Sequence, residues 1–428
     1  MSAGPDTTAT APATAPRSLA TLSLAGFVAL GLPDGMWGTA WPTMRHTFHE
    51  QVGALGVLLV AVTAGALVTS LATALLIRRA GVGMVLTGAA VLGGVAAALL
   101  VSASTWPMVV VAAFFVGTAA GILDTGLNVV VAMSGRVRLL NLLHGSYGVG
   151  RALGPLVVTV AVLVSSWRPA YGFLLVVEVL MAAGWWSTRS SWNGARGSGQ
   201  GLARADEVPA EQGRALEDES ARAGGSRPMP RLVVAAAITT FFTYTGFEVS
   251  AGQWAATYLR GPAELSAGTA GAAVFAYWAC LTAVRFAVAV PRATPPPVLL
   301  VRVGCATSVV GALVVWWGPS PGVTIGGLCL IGGGLAPVYP ALVTLTPHRV
   351  GLVRAHRVIG WQVAAAGVGG AAVSAVAGLV LQHDGLRSFG PFLVASGSLM
   401  LVASVALELL ARSAGASRTV RRGRRAVR

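Results

Sequence analysis

The stretch VVVAAFFVGTAAGILDTGLNVVV, residues 109–131, is apolar enough to cross a membrane, yet it contains an aspartate in its second half. About 20 consecutive apolar residues span a bilayer as a helix, the form in which a segment bonds its own backbone groups. Within the stretch, Gly117, Gly121, Asp124 and Asn128 share one helical stripe. We therefore expect a transmembrane helix with small residues against a neighbouring helix and polar ones toward a cavity or a partner.

The rest of the chain has the same apolar character. Of its 428 residues, 55% are hydrophobic and 11% are charged, whereas about a quarter are charged in soluble domains. This composition predicts an all-α membrane protein with twelve transmembrane helices. The apolar spans lie near residues 18–42, 53–77, 84–103, 107–133, 141–165, 170–187, 232–257, 267–290, 299–317, 322–345, 358–382 and 389–411.

Arginines are concentrated in the connections on one side of these spans. One set of connections contains most of them, including Arg78, Arg79 and the C-terminal run RRGRRAVR. By the positive-inside rule, both termini of this multi-pass protein are expected in the cytoplasm, at the cell (inner or plasma) membrane. The net charge of +15 is therefore read as membrane topology and not as nucleic-acid binding. The opposite set of connections contains only Arg45, Arg168, Arg260 and Arg387.

A polar segment divides the chain into two parts. Residues 188–231 are rich in Gly, Ser, Ala, Glu and Arg and have no apolar period, which predicts a disordered cytoplasmic linker. It separates two six-helix halves, 18–187 and 232–411, flanked by a disordered N-terminal tail (1–17) and a basic C-terminal tail (412–428). GVGRALGPLV in the fifth span resembles GVGGAAVSAV in the eleventh, which indicates a repeat of six helices.

Polar side chains inside apolar spans mark the candidate site. An ionised carboxylate at the bilayer centre costs roughly 2.5–3.5 kcal/mol on insertion scales, so its presence indicates a function or a buried pairing. Asp34 and Trp37 share one face of the first span, and a carboxylate beside an indole suits a ligand with several hydroxyl groups. The candidate substrate-binding residues are Asp34, Trp37, Asn128, Asn141, His144, Tyr147, Arg151, Tyr244, Glu248, Trp278, Arg285, Tyr339 and Gln362.

Several of these residues are expected to interact. His144 and Arg151 lie seven residues apart on the fifth span, so a nearby acid is needed, and Asp124 is the obvious one. Glu248 and Arg285 are expected to pair across the cavity or to line it from two sides. The run GGGLAPVYP in the tenth span predicts a kinked helix beside a pathway. For Asp124, an interhelical hydrogen bond from a protonated carboxyl is the structural alternative to a function.

Catalysis and metal binding are not indicated by the sequence. The chain contains no lysine, which excludes a Schiff-base lysine and a Ser–Lys dyad, and its three cysteines form no CxxC pair. His46 and His49 lack further ligands nearby. We therefore expect a protein that is not an enzyme and that uses no metal or other cofactor.

Three segments resemble a known family. GLPDGMWGTAWP, GTAAGILDTGLNVVV and RLLNLLHGSYGVGRALGP are similar to the first, fourth and fifth helices of the fucose-permease-like sugar–proton symporters, a branch of the major facilitator superfamily. The resemblance to the superfamily covers nearly the whole chain and implies two six-helix halves with a substrate site between them near the membrane midplane. It also implies that Asp34 and Asp124 take part in sugar binding and proton coupling.

These patterns together favour a secondary transporter that moves a small polar, sugar-like solute by proton-coupled alternating access. Its expected partners are the solute, protons and the lipid bilayer, and it is expected to be monomeric. Two alternatives stay open at this point. One is a proton-driven exporter of a drug or secreted metabolite, which would use the same acids. The other is a non-transporting membrane sensor or scaffold.

Overall fold

A computed structural model describes residues 17–133, 137–194, 231–289, 295–318 and 320–426, and nearly all of these are helical. Within them, twelve segments are long and apolar enough to cross a membrane, as predicted. The helices are α1 (Arg17–Phe48), α2 (Leu55–Ala80), α3 (Val82–Ser102), α4 (Trp106–Met133), α5 (Val137–Val164), α6 (Arg168–Thr188), α7 (Arg231–Arg260), α8 (Ala267–Ala289), α9 (Pro297–Trp317), α10a (Pro321–Leu335), α10b (Val338–Val350), α11 (Leu352–His383) and α12 (Phe389–Ala426).

Consecutive spans run in opposite directions, so the bundle has two sides. We call the side at which α1 begins and α12 ends the tail side, and the opposite one the far side. Contacts between helix ends agree with this assignment. On the tail side, Gly83 of α3 lies against Arg189, just after α6, and on the far side Gly390 of α12 lies against Trp316 of α9.

The two halves repeat the same helix pairings. In the first half α1 packs on α5, α2 on α4 and α3 on α6; in the second half α7 packs on α11, α8 on α10a and α9 on α12. Each pair of the second half follows from one of the first by adding six to both helix numbers. The predicted two-half, twelve-helix architecture is thereby confirmed.

Glycines allow the closest of these contacts. Gly121 lies so near α2 that a Cβ added there would stand 2.5 Å from the Ala66 carbonyl oxygen, and Gly117 meets the Val62 carbonyl in the same way. Gly117 and Gly121 therefore form the surface on which α4 packs against α2. They are the small residues of the stripe that also contains Asp124 and Asn128, and the sequence predicts such a contact with a neighbouring helix.

The kink expected in the tenth span is a break between two helices. α10a ends at Leu335 and α10b begins at Val338, with Pro337 between them, because proline has no N–H to continue the helical bonding. At the start of the predicted linker, Ser191–Gly194 form a short 3-10 turn, and the indole N–H of the buried Trp192 donates to the Thr188 hydroxyl at 3.1 Å. The rest of that linker, residues 195–230, lies outside the described residues, as does the N-terminal tail up to residue 16.

Candidate functional site

Helices of both halves meet along the long axis of the bundle. The pairs that join the halves are α1 with α7, α2 with α11, and α5 with α8. The α5–α8 contact extends along both helices: Gly145 lies against Phe286 near the tail side, Gly148 against Thr282 near the middle, and Gly271 against Thr159 near the far side.

Close packing of α1 on α5 brings Asp34 to Arg151. Gly31 and Gly35 of α1 lie against the backbone of Tyr147 and Arg151, where a Cβ would clash with their carbonyl oxygens. Asp34, between the two glycines, therefore faces α5. Its Oδ2 lies 3.2 Å from Arg151 Nε and accepts a hydrogen bond from the Tyr147 hydroxyl.

Arg151 also reaches across to the second half. Its Nη1 donates to Glu248 Oε1 of α7 at 2.5 Å, and both side chains are buried. The guanidinium carbon lies 3.7 Å from the centre of the Trp278 ring of α8, which adds a cation–π contact. A hydrogen bond from the Tyr277 hydroxyl to the Glu248 backbone carbonyl, 2.9 Å long, holds the turn that carries Glu248.

We call Asp34, Arg151 and Glu248 the central triad. The net charge of these three side chains depends on whether their carboxyl groups are protonated. Two carboxylates share one guanidinium, so the triad carries one net negative charge when both carboxyl groups are ionised. It becomes neutral when one of them takes up a proton. A buried charge is strongly destabilising without its partner, so the three groups are interdependent. About a third of the Asp34 side chain remains exposed, whereas Arg151 and Glu248 are each less than a tenth exposed.

Asp124 lies apart from the triad, toward the tail side. Its Oδ1 accepts a hydrogen bond from Asn128 Nδ2 at 2.9 Å, one turn further along α4. The side chain of Asp124 is exposed, and it lies within electrostatic range of Tyr339 on α10b in the other half. His144 of α5, with its ring edge-to-face against Phe27, is exposed as well. Polar side chains of the first half therefore line an opening on the tail side.

The far side of the same interface is closed. Gly38 of α1 lies directly against the Gln253 backbone of α7, and Gly56 of α2 lies against Ala375 of α11. The Gly53 N–H donates to Gln382 Oε1 of α11 at 3.1 Å. The halves are thus in direct contact on the far side of the central triad, whereas about a third of the Asp34 side chain remains accessible.

Comparison with known proteins agrees with this architecture. The model of the Major Facilitator Superfamily matches residues 22–375. The chain belongs to the major facilitator superfamily. Curated protein sequences give no match to it.

Solved structures share the major facilitator fold at low sequence identity. A D-xylose–proton symporter has a TM-score of 0.70 at 14% identity, over 91% of this chain and 96% of that one. The E. coli xylose transporter XylE, in a partially occluded inward-open conformation, has a TM-score of 0.68 at 13% identity, over 91% and 96%. A peptide transporter, POT, in complex with sulfate, has a TM-score of 0.66 at 14% identity, over 93% and 95%. At these identities the likeness shows the fold alone.

One pairing expected from the sequence of this major facilitator protein is wrong, and for another pair one of the two expected arrangements is excluded. Arg151 is neutralised by Asp34 and Glu248, not by Asp124, because the glycines of α1 bring Asp34 closer to it. Glu248 pairs with Arg151 and not with Arg285. The Arg285 Nε donates instead to the Ala336 carbonyl at 3.3 Å, a group without a helical donor because the residue four positions later, Pro340, has no N–H.

The structure brings most of the candidate residues to the interface between the halves, but not all of them. Trp37 is buried inside the first half, its ring 5.4 Å from that of Tyr171 on α6. Gln362 is buried in the second half, where its amide bonds the Thr346 hydroxyl at 3.1 Å. The side chain of Asn141 lies outside the described part of the chain.

Two aromatic candidates in the second half are also packed into helix contacts. The Tyr244 hydroxyl donates to the Leu335 carbonyl at 3.2 Å, at the end of α10a. Its ring lies 5.9 Å from that of Tyr339, which packs edge-to-face on Phe241. Tyr339 is half-buried and sits between this aromatic cluster and Asp124, so it is the member of the pair nearer the opening.

Sequence reasoning missed Gln253, whose side chain bonds α1 directly. A polar residue in an apolar span was the available signal, since such residues usually face a protein partner. Gln253 lies on a different face of α7 from Tyr244 and Glu248. It was therefore not among the residues predicted from the face that those two share.

Proposed function

We propose that this protein is a secondary transporter that moves a small polar solute by proton-coupled alternating access. The observation that carries the proposal is the central triad, an ion network that joins the two halves at mid-height and leaves part of the Asp34 side chain accessible. An ionisable group inside a membrane bundle that pairs across halves is typical of a transport pathway. The solved structures with this fold include a D-xylose–proton symporter and a peptide transporter, which supports a small-molecule substrate.

In this proposal the tail side is the cytoplasmic side. The arginine-rich connections lie there, as the positive-inside rule requires for an integral membrane protein with both termini in the cytoplasm. The conformation is then open to the cytoplasm and closed to the outside. A solute from the cytoplasm would meet Asp124, Asn128 and His144 first and Asp34 next.

The two aspartates have different roles in the proposal. Asp124 exchanges the proton, because it is exposed to the opening and its hydrogen bond comes from a neutral amide, which tolerates either protonation state. Asp34 binds the solute, because its carboxylate is fixed by Tyr147 and Arg151 while a third of the side chain stays accessible. Carboxylate and amide acceptors in this arrangement suit the hydroxyl donors of a sugar, in line with the resemblance to fucose-permease-like symporters.

The test is substrate-driven proton movement in proteoliposomes. A thermal-shift panel of sugars, polyols, dipeptides and amphipathic drugs first selects a ligand. That ligand, added to one side, is expected to move protons in wild type, and the sign of the proton movement separates symport with the solute from antiport against it, the mode of a proton-driven exporter. Asp124→Asn is expected to abolish proton movement while retaining the thermal shift.

A matched control is available in another membrane-embedded carboxylate. Glu178 is buried between α3 and α6 against Gly93, away from the interface of the halves. Glu178→Gln is expected to leave substrate-driven proton movement intact. Undiminished proton movement in Asp124→Asn would refute the coupling role of Asp124.

A further inference from the structure

A side chain of the second half forms hydrogen bonds with the backbone of α1 beside Asp34. In a regular α-helix the N–H of residue 38 donates to the carbonyl of residue 34. Here the Gly38 N–H donates to Gln253 Oε1 at 2.7 Å, and Gln253 Nε2 donates to the Asp34 carbonyl at 2.8 Å. The amide of Gln253 thus bridges the two backbone groups that a helix joins directly.

The sequence of α1 makes this insertion possible. Pro33 and Pro42 have no N–H, so the helical bonds to the carbonyls of residues 29 and 38 are missing and the segment between them is weakened. Gly38 has no Cβ, and any larger residue would collide with the Gln253 backbone. Inserting a polar side chain into the helical hydrogen-bond ladder is a known cause of local helix bending.

We propose that Gln253 is a positioning residue that couples closure of the far side to the turn of α1 that carries Asp34. With the far side closed, the amide is inserted and the turn is held open. When the halves separate there, Gln253 leaves with α7, and the Gly38 N–H bonds the Asp34 carbonyl directly. The turn therefore has two arrangements, and each belongs to one state of the seal.

This coupling changes the solute site itself. Asp34 belongs to the turn that opens and closes, and its carboxylate contacts Arg151 and Tyr147 of α5. Closing the ladder shifts the Asp34 backbone relative to α5 and so changes how the carboxylate is presented. The inference rests on the proposed function only in treating far-side opening as a transport step; the state of the seal is measurable without transport.

The experiment measures access to the far side with a single cysteine. In a background with Cys280, Cys305 and Cys329 replaced by serine, Ala256→Cys places a thiol at a small far-side cavity also lined by Thr39 and Arg260. A membrane-impermeant maleimide is applied from the far side. Gln253→Leu removes both hydrogen bonds and keeps the bulk, so labelling is expected to accelerate about tenfold or more. An unchanged rate would overturn the proposal.

A second variant separates the hydrogen bonds from packing. In Gln253→Glu, a protonated carboxyl both accepts from the Gly38 N–H and donates to the Asp34 carbonyl, whereas a carboxylate repels that carbonyl. The labelling rate of Gln253→Glu, divided by that of Gln253→Leu at the same pH, is therefore expected to fall as the pH is lowered from about 8 to about 5. A ratio that does not change with pH would overturn the proposal. Absence of solute and proton transport in the wild type, with this labelling pattern intact, would contradict the proposed function alone.

Discussion

The far side and the tail side of the interface are built from different contacts. On the far side the halves touch through glycines and neutral amides, at Gly38 with Gln253 and at Gly53 with Gln382. On the tail side, polar residues of the first half such as Asp124 and His144 face an opening. Between the two sides lies the central triad, where the halves are joined by the ion pair of Arg151 and Glu248.

This difference explains how the bundle can be stable and still change conformation. Neutral hydrogen bonds of the far side each contribute about 0.5–1.5 kcal/mol, so a few of them can break and reform within a transport cycle. The buried ion pair is far more costly to separate. We therefore expect the far-side seal to set the conformational equilibrium and the triad to set the stability of the whole bundle.

The largest effect is expected at the triad. Arg151→Leu leaves Asp34 and Glu248 close together without their counter-charge, at a cost of about 3–5 kcal/mol. Unfolding of the purified protein, followed by temperature or denaturant, should show this loss. Arg302→Leu is the control, since Arg302 is about half exposed and its partner Glu408 keeps a second ion pair with Arg412. Equal stability losses in the two variants would contradict the account.

A smaller effect is expected where the halves touch at Gly38. Gly38→Ala places a methyl group against the Gln253 backbone, and overpacking of this kind costs about 1–3 kcal/mol. Because the clash exists only with the far side closed, thiol labelling from that side should accelerate while the unfolding temperature changes little. Gly322→Ala, at a position with open space around it, should leave the labelling rate as it was.

The smallest effect is expected at the second amide of the seal. Gln382→Leu removes one hydrogen bond to the Gly53 N–H and one between Gln382 Nε2 and Gln51 Oε1, in a partly exposed setting. We expect a cost of about 0.5–1.5 kcal/mol to the closed state, and faster far-side labelling than in wild type but slower than in Gln253→Leu. A larger increase in the far-side labelling rate in Gln382→Leu than in Gln253→Leu would contradict this expectation.

The architecture was predictable from the sequence because bilayer length and backbone bonding leave few alternatives. Each predicted span corresponds to a helix, and the glycine seam that ends in Asp124 meets α2 as expected. The break at Pro337 was also readable, since proline and the preceding glycines stand out in an apolar span.

The partners of individual side chains were less predictable. Helical phase places Arg151 on an inward stripe but does not say which acid approaches it, and that choice depends on how closely Gly31 and Gly35 let α1 lie on α5. Trp37 shares a broad face with Asp34, yet it turns toward Tyr171 because α6 offers a ring to pack against. Contacts between helices that are distant in the sequence decide these cases, and such contacts cannot be read from one amino-acid sequence alone.

The most direct test of alternating access is a pair of distance measurements between spin labels. One pair, at His49 and Asp384, reports on the far side, and the other, at Arg79 and Arg357, reports on the tail side; all four residues are exposed. We expect that Gln253→Leu, and a transported solute in wild type, lengthen the far-side distance and shorten the tail-side distance in the same fraction of molecules. Distances that change together on both sides, or not at all, would contradict the account.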